Sequence, residues 1–481
     1  MENLSWTGAT GPFLVPVITI AAVVLAVAVA GRILVSLAAW ATGTAAQTAS
    51  GPVLMARPRG LGRTLDLVAQ VAIGLILLAI LLIALAGFIL PVQSKGIIGW
   101  ATLRFWPVWA ALIVTFTLSI RFKRRLGLYG KLMDSPVGMV GLGIVLFWVF
   151  TAIFASAIIT QDPLGQLSGM KNVMPGSVVK NPTEGAFAWY LFGGDHLARD
   201  VFSRMVMGAQ RVLQIAPAAT VFAFMVGVTL GLPAGYFGGK LDTLLSFLAN
   251  LVLAFPVILL FYLLVTPEMV QTGIPMYFAA VLFLFPVIFF AVLFNSRFKT
   301  NPPRRNLYVG VTLLLGLWAY TGLAFNADPI RYLIGRPIFS MDPNMLNVFV
   351  SVVFVNSPGV FRIVRGLVMD IKARDYVAAG QTRGESPWYI MLWEILPNAR
   401  GPLIVDFCLR IGYTTILLGT LGFFGLGVSP ESPDWGSTIN AGRKLLSMFP
   451  HPAVVPAVAL MSLVLGLNLL ADGLREESLK D

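Results

Sequence analysis

Residues 67–90 have the sequence LVAQVAIGLILLAILLIALAGFIL, which contains no charged side chain over 24 positions. A helix rises about 1.5 Å per residue, so about 20 apolar residues cross a hydrocarbon core about 30 Å thick. Helices in soluble cores seldom extend this far without a charge. This stretch therefore predicts a helix that spans a membrane.

Apolar segments of this kind recur along the chain. Hydrophobic residues make up 57% of the 481 residues and charged residues only 12%, whereas an average soluble protein carries about 25% charged residues. The composition predicts an all-α polytopic membrane protein with about 11 transmembrane helices. The other ten segments are approximately Phe13–Ala41, Trp100–Ile120, Val137–Thr160, Val212–Gly235, Thr243–Val265, Met276–Asn295, Leu307–Phe325, Met345–Val364, Leu403–Leu426 and Pro452–Asp472.

The basic residues predict the orientation, because cytoplasmic loops retain Lys and Arg. Residues 1–12, 91–99 and 266–275 contain only one such residue, Lys95. The net charge of +12 lies in short loops rather than on one polar face, so nucleic acid is not a predicted partner. We predict an external N-terminus and a cytoplasmic C-terminal tail. The four basic loops hold thirteen Lys and Arg residues, at 43–66, 121–136, 236–242 and 296–306.

A long connection between two apolar segments, residues 370–405, has the sequence DIKARDYVAAGQTRGESPWYIMLWEILPNARGPLIV. We predict a first helix from about Ile371 to Arg383, ended by Gly384, since glycine readily takes positive φ. Ser386 is a good N-cap and Pro387 suits the first helical position, so a second helix should follow until Pro397 stops it. The hairpin, residues 371–397, should present aromatic anchors and polar groups to a partner: Tyr376, Trp388, Tyr389, Trp393, Arg374, Asp375 and Arg383.

The hairpin resembles the EAA loop of ABC importer permeases. Ala378, Ala379 and Gly380 occupy the triplet, Gly384 takes the later glycine, and Leu396 with Pro397 forms the final pair. Ala378 stands where the family has a glutamate. The resemblance implies that the hairpin couples the chain to an ATPase, through Arg374, Asp375, Tyr376, Ala379, Gly384, Trp388, Leu396 and Pro397.

Three further stretches resemble the second permease of dipeptide, oligopeptide and nickel importers. They are FGGDHLARDVFSRMVMGAQ at 192–210, GLPAGYFGGKLD at 231–242 and LGFFGLGVSPESPDWGSTINAGR at 421–443. The resemblance implies a six-helix permease core plus five extra helices. We therefore predict two domains, with three extra helices in residues 1–130 and the permease domain in residues 131–481. An inserted helix pair is expected at about 270–330, within the permease domain.

The chain contains no GxxxxGK[ST] sequence, so it has no phosphate-binding loop of that type. We expect that it is not itself an enzyme and holds no cofactor, while partner subunits bind ATP and Mg. The resemblance implies a second permease, two cytoplasmic ABC ATPase subunits, an extracytoplasmic solute-binding protein and surrounding lipid. It also implies a prokaryotic cytoplasmic membrane.

Two other functions compete with an importer permease. A secondary transporter would need acidic residues buried near the membrane midplane. A scaffold subunit without transport activity would account for the extra helices. The chain does not identify a solute in any of these cases.

A few polar residues lie in or near the apolar segments and are candidate site residues. Asp406 and Arg410 are four residues apart near the start of a span, where they can pair with each other or line the substrate path. His196 and His451 are far apart in sequence and have no thiol nearby, so no metal site is predicted. Asp200 and Arg204 predict a helix along the membrane surface. The glycines near 227–235 and 419–427 are expected to allow close helix packing.

Overall fold

The computed structural model describes residues 2–41, 61–180, 182, 187–426 and 432–478. Within these residues, nine helices are long and apolar enough to cross a membrane, or up to eleven if each of two bent pairs forms one span. The prediction of an all-α polytopic membrane protein with about 11 transmembrane helices is confirmed. Most of the basic loop at 43–66 and the tail residue Lys480 lie outside the described residues.

The first of two compact units contains Met1–Trp106 and Ser168–Gly194. Alanines seven residues apart are buried on both of its long helices, at Ala21 and Ala28 and at Ala72 and Ala79, where small side chains let two backbones approach. The elements of this unit are the helices α1 Gly11–Ala41, α2 Leu61–Ile89 and α3 Gly96–Arg104, short 3-10 turns at Gly8–Thr10 and Val92–Ser94, and the antiparallel strands β1 Ser177–Val178 and β2 Trp189–Tyr190.

The chain before α1 packs against this strand pair. The Leu4 backbone N–H donates to the Gly176 carbonyl at 2.8 Å, and the Trp189 indole donates to the Glu2 carbonyl at 3.1 Å. These residues therefore lie on one side of the membrane.

The second unit contains Pro107–Leu167 and Asp195–Asp481. A 3-10 turn at Lys123–Arg125 and a π-helical turn at Ile390–Ile395 interrupt its helices. Its helices are α4 Trp106–Arg121, α5 Gly127–Leu132, α6 Pro136–Ile153, α7 Ala155–Ile158, α8 Val201–Phe237, α9 Gly239–Leu253, α10 Val257–Val265, α11 Pro267–Gln271, α12 Ile274–Leu282, α13 Leu284–Arg297, α14 Pro302–Phe325, α15 Arg331–Ile334, α16 Pro343–Ile371, α17 Asp375–Thr382, α18 Pro387–Tyr389, α19 Leu396–Asn398, α20 Arg400–Phe423, α21 Trp435–Arg443 and α22 His451–Ser478.

Helices α8 and α16 form the centre of this unit, and a row of glycines on α8 lets the two helices pack closely. A Cβ placed on Gly227 would lie 2.6 Å from Cβ of Val360, and one on Gly231 would lie 2.9 Å from Cβ of Val364. Both distances are shorter than a normal contact between carbon atoms. The prediction that these glycines allow close packing is confirmed for this helix pair.

The expected surface helix around Asp200 is wrong. Asp200 caps the 37-residue helix α8, and its carboxylate accepts from the Ser203 backbone N–H at 3.0 Å and from the Thr160 hydroxyl at 2.7 Å. Arg204 is buried and donates to the Ser432 carbonyl at 3.1 Å. This first turn is therefore buried by contacts with two other loops and does not form a separate, exposed amphipathic helix.

Asp328 organises the linker between α14 and α16. Its buried carboxylate accepts from the Trp318 indole at 2.8 Å and from the backbone N–H groups of Ile330, Ile338 and Phe339 at 2.9, 2.6 and 2.9 Å. Burial acts to raise the pKa of Asp328, but these hydrogen bonds to the charged form outweigh it and lower the pKa to about 2.

Replacing Asp328 should therefore weaken the protein in a pH-dependent way. We expect Asp328→Asn to lower the thermal unfolding midpoint at pH 7, because an amide has one acceptor oxygen for four donors and cannot carry charge. The folded pKa lies below the ordinary value of 3.8. The wild-type advantage should thus be complete above that value and shrink as pH falls towards 2. Unfolding scans in detergent from pH 7 to 2 would check this, and an unchanged difference at pH 2 would contradict it.

Candidate functional site

The hairpin consists of helices α17, α18 and α19 with the π-helical turn between the last two. Gly384 has φ +76° in the turn between α17 and α18, as its predicted role requires. Ser386 accepts from the Tyr389 backbone N–H at 3.4 Å and caps the second arm. The hairpin therefore forms at this position for the two reasons that the sequence indicates, a glycine with positive φ in the turn and a serine N-cap on the second arm.

Two predicted helix boundaries are wrong. Helix α16 ends at Ile371, and α17 starts at Asp375 instead of continuing from Ile371. Pro397 does not stop the second arm, because helical structure continues to Asn398. The proline lies where the π-helical turn, Ile390–Ile395, joins α19.

One face of the hairpin is buried. Val377, Ile390, Met391 and Ile395 are each at most 1% exposed. They form one apolar cluster with a row of side chains from the end of α16: Val360, Val364, Val368 and Ile371. Burial of this face holds the hairpin against the membrane-spanning helices.

The opposite face carries most of the predicted coupling residues. Tyr376 and Trp388 are each 39% exposed, so two large aromatic side chains stand in solvent. Such side chains are typical centres of protein interfaces. Leu396 is half-buried and packs on the apolar cluster instead. The remaining predicted coupling residues are exposed, namely Arg374, Asp375, Ala379, Gly384 and Pro397.

Polar contacts link the two arms to each other and attach the first arm to α8. Arg383 on the first arm pairs with Glu394 on the second at 2.9 Å. The Lys372 ammonium group donates to the Gly235 carbonyl at 2.7 Å, and the Gln381 amide donates to the Tyr236 hydroxyl at 3.2 Å. The hairpin is therefore bound to the end of a membrane-spanning helix.

Trp393 is not the partner anchor that the sequence predicted. Its indole N–H donates to the Ser296 hydroxyl at 3.2 Å, and the Arg297 guanidinium lies 4.5 Å from its ring centroid. Both contacts come from the end of α13. Sequence reasoning missed them because Trp393 is 97 positions away from Ser296 and no motif links the two segments.

Asp406 and Arg410 pair with each other, as one of the two hypotheses expected. The Arg410 Nε donates to the Asp406 carboxylate at 2.6 Å, and the side chains are 14% and 16% exposed. Arg410 also donates to the Asn356 carbonyl on α16 at 3.4 Å. A Cβ on Gly359 would lie 2.8 Å from this guanidinium. The pair therefore connects α20 to α16.

A double variant separates a structural role from a role in the path. Asp406→Ala alone should destabilise the protein by about 3 kcal/mol, because Arg410 loses its carboxylate in a largely buried position. Asp406→Ala with Arg410→Met should recover most of the unfolding midpoint. If the pair is structural, solute uptake should recover as well. A stable double variant without uptake would indicate that these charges line the path.

The described residues include no group of three or more His, Cys, Asp or Glu side chains placed to hold a metal ion. The described residues combine a bundle of spanning helices with a hairpin that is held against them and has an exposed aromatic face. An exposed aromatic face of this kind is typical of a surface that binds a partner protein.

Comparison with known proteins gives the same class. Residues 227–476 match the binding-protein-dependent transport system inner membrane component family, and the chain belongs to this family. It is thus a multi-pass inner membrane component of a transport system.

Curated relatives belong to peptide and glutathione systems. The chain is similar to the dipeptide transport system permease protein DppC of Alkalihalophilus pseudofirmus, at 26% identity over 72% of this chain and 87% of that protein. It is also similar to the glutathione transport system permease protein GsiD of Pectobacterium atrosepticum, at 28% identity over 61% and 73%. The di/tripeptide permease DppC of Pseudomonas aeruginosa is 26% identical over 70% and 85%.

Proposed function

We propose that this chain is the permease subunit of an ATP-driven importer that moves peptides or similar small solutes by alternating access. The observation that carries this proposal is the hairpin, which exposes Tyr376 and Trp388 while its other face is buried against α16. A partner that binds this face can favour one arrangement of the spanning helices over another. The named relatives support peptides as the solute class.

The chain acts in a complex with a second permease, two cytoplasmic ABC ATPase subunits and an extracytoplasmic solute-binding protein. ATP and Mg are held by the ATPase subunits, so this chain contributes no catalytic residue. Its own contribution is the coupling surface formed by Arg374, Asp375, Tyr376, Ala379, Gly384, Trp388, Leu396 and Pro397.

The permease domain comprises residues 131–481, and residues 1–130 add three membrane-spanning segments to it, with α3 and α4 together forming the third. Asn3 accepts from the Val178 backbone N–H at 3.1 Å through its side-chain oxygen. The segment before α1 therefore contacts the long connection after α7, which supports a role of the N-terminal residues in shaping that connection.

The N-terminus and residues 161–211 face outside, and the hairpin faces the cytoplasm with residues 296–306. The contact between Trp393 and Ser296 supports the second group, and the contact between Leu4 and Gly176 supports the first. The charge distribution among the loops assigns each group to its side.

Labelling at the two ends of α14 should check this orientation. In a Cys408→Ser background, Thr300→Cys should resist a membrane-impermeant thiol reagent in intact cells and react after lysis. Tyr332→Cys is the matched control, since Tyr332 is 92% exposed just beyond the other end of the same helix. It should react in intact cells. The reverse pattern would contradict the orientation.

Purification of the tagged chain from its native membrane tests the class of function. We expect ATPase subunits to copurify and their hydrolysis of ATP to be inhibited by vanadate. Replacement of Trp388 by Ala should release them, since an aromatic hot spot is commonly worth more than about 1 kcal/mol. Transport driven by an ion gradient, or a stable complex without transport, would support the secondary transporter or the scaffold instead.

A further inference from the structure

The turn between α13 and α14 lies against the hairpin. These two helices correspond to the pair that the sequence predicts as an insertion in the permease core. Side chains at the end of α13 pack on the apolar cluster of the hairpin, among them Phe289, Val292 and Leu293. Beyond them, Ser296 and Arg297 reach the second arm directly.

Trp393 is held by two different interactions. Its indole N–H is a donor without acceptor ability, so a half-buried position requires an acceptor, which the hydroxyl of Ser296 supplies at 3.2 Å. Ser296 is itself 5% exposed. The Arg297 guanidinium lies 4.5 Å from the ring centroid, within the range of a cation–π interaction.

The turn that follows Arg297 is held by ring stacking and by a helix cap. The Tyr308 ring on α14 stacks on Phe298 with a centroid distance of 4.8 Å and an interplanar angle of 11°. It also stacks on Phe294 at 5.5 Å. Asn301 accepts from the Arg304 backbone N–H at 3.3 Å and caps α14. These contacts hold the end of α13, which carries Ser296 and Arg297, against the start of α14.

We infer that Ser296 and Arg297 are positioning residues, which act through Trp393 to set the orientation in which the hairpin meets an ATPase subunit. This inference rests on the proposed function. The first arm is attached to α8 by Lys372 and Gln381, and α13 attaches the second arm. With both arms attached, the exposed Trp388 is held in one orientation. The hairpin is then already ordered before an ATPase subunit binds, so binding does not lose free energy in ordering it.

The test uses the full-length chain assembled with its second permease in lipid nanodiscs and titrated with purified ATPase subunits. Arg297→Met removes the cation and keeps an unbranched side chain, and we expect the apparent Kd to rise about tenfold, as for the loss of one partly buried cation–π contact. Trp393→Phe keeps a ring but removes the donor and should raise the Kd by a smaller factor. ATP turnover at saturating ATPase subunit should stay near the wild-type value for both.

Further variants separate positioning from misfolding. Arg297→Lys should restore the wild-type Kd, because an ammonium group can also lie over the ring. Arg304→Met removes the same charge from the same turn and should leave the Kd unchanged. Misfolding would reduce turnover at saturation without moving the Kd, and that result for Arg297→Met would overturn the inference.

The outcome also distinguishes this inference from the proposed function. If Trp388→Ala raises the Kd while Arg297→Met and Trp393→Phe do not, the hairpin binds the ATPase but α13 does not position it, and the inference is wrong. If the wild-type assembly binds no ATPase subunit, the proposed function and the inference fail together.

Discussion

Gly384→Val should abolish solute uptake while the protein still inserts and accumulates normally. Gly384 has φ +76°, and nothing lies within 4 Å of the position that its Cβ would take. The cost is therefore one of backbone conformation alone, about 1–2 kcal/mol for a branched residue at positive φ. Relief of that strain requires the turn between α17 and α18 to change, which moves Trp388 relative to Tyr376.

Two control variants show whether the loss of uptake comes from backbone strain in general or from strain at Gly384 in particular. Gly384→Asn should retain most of the uptake, since asparagine tolerates positive φ better than other residues with a Cβ. Gly335 has φ +78° and an equally open surrounding, but it lies in the linker between α15 and α16. Gly335→Val should therefore carry the same strain without loss of uptake. Full uptake by Gly384→Val at normal expression would contradict the role of the hairpin in coupling.

Gly231→Leu should prevent the second unit from folding. A single Cβ at Gly231 would already lie 2.9 Å from Cβ of Val364, and leucine adds three more carbon atoms. The expected cost is at least about 3 kcal/mol, the upper end of typical overpacking. Since α8 and α16 are the central pair, we expect an aggregated profile in size-exclusion chromatography after detergent extraction.

The matched control lies on another spanning helix. Gly310 on α14 has nothing within 4 Å of its Cβ position, so Gly310→Leu should give a monodisperse protein with a wild-type unfolding midpoint. A monodisperse Gly231→Leu protein would show that α8 and α16 do not need this close approach.

The spanning helices could be predicted because an apolar run of sufficient length leaves a backbone in lipid no other option than a helix. The hairpin turn could be predicted for a similarly local reason, since Gly384, Ser386 and Pro387 each have a strong conformational preference. These features depend on residues that are close in sequence.

The wrong predictions concern residues whose partners are distant in sequence. The spacing of Asp200 and Arg204 is typical of an exposed helix, yet Arg204 donates to Ser432, 228 positions away. Trp393 is a residue type that is common at protein interfaces, yet its indole N–H donates to Ser296 within the chain. A local sequence pattern does not distinguish a side chain that contacts another protein from one that contacts a distant segment of the same chain.

Uptake into reconstituted vesicles tests the central claim most directly. The complete complex would be reconstituted with Mg-ATP inside, and the solute-binding protein with a labelled dipeptide would be added on the side of Tyr332. We predict uptake that requires internal ATP, is inhibited by vanadate and is lost in Gly384→Val but retained in Gly335→Val. Uptake that proceeds without ATP and follows an imposed proton or sodium gradient would contradict the account.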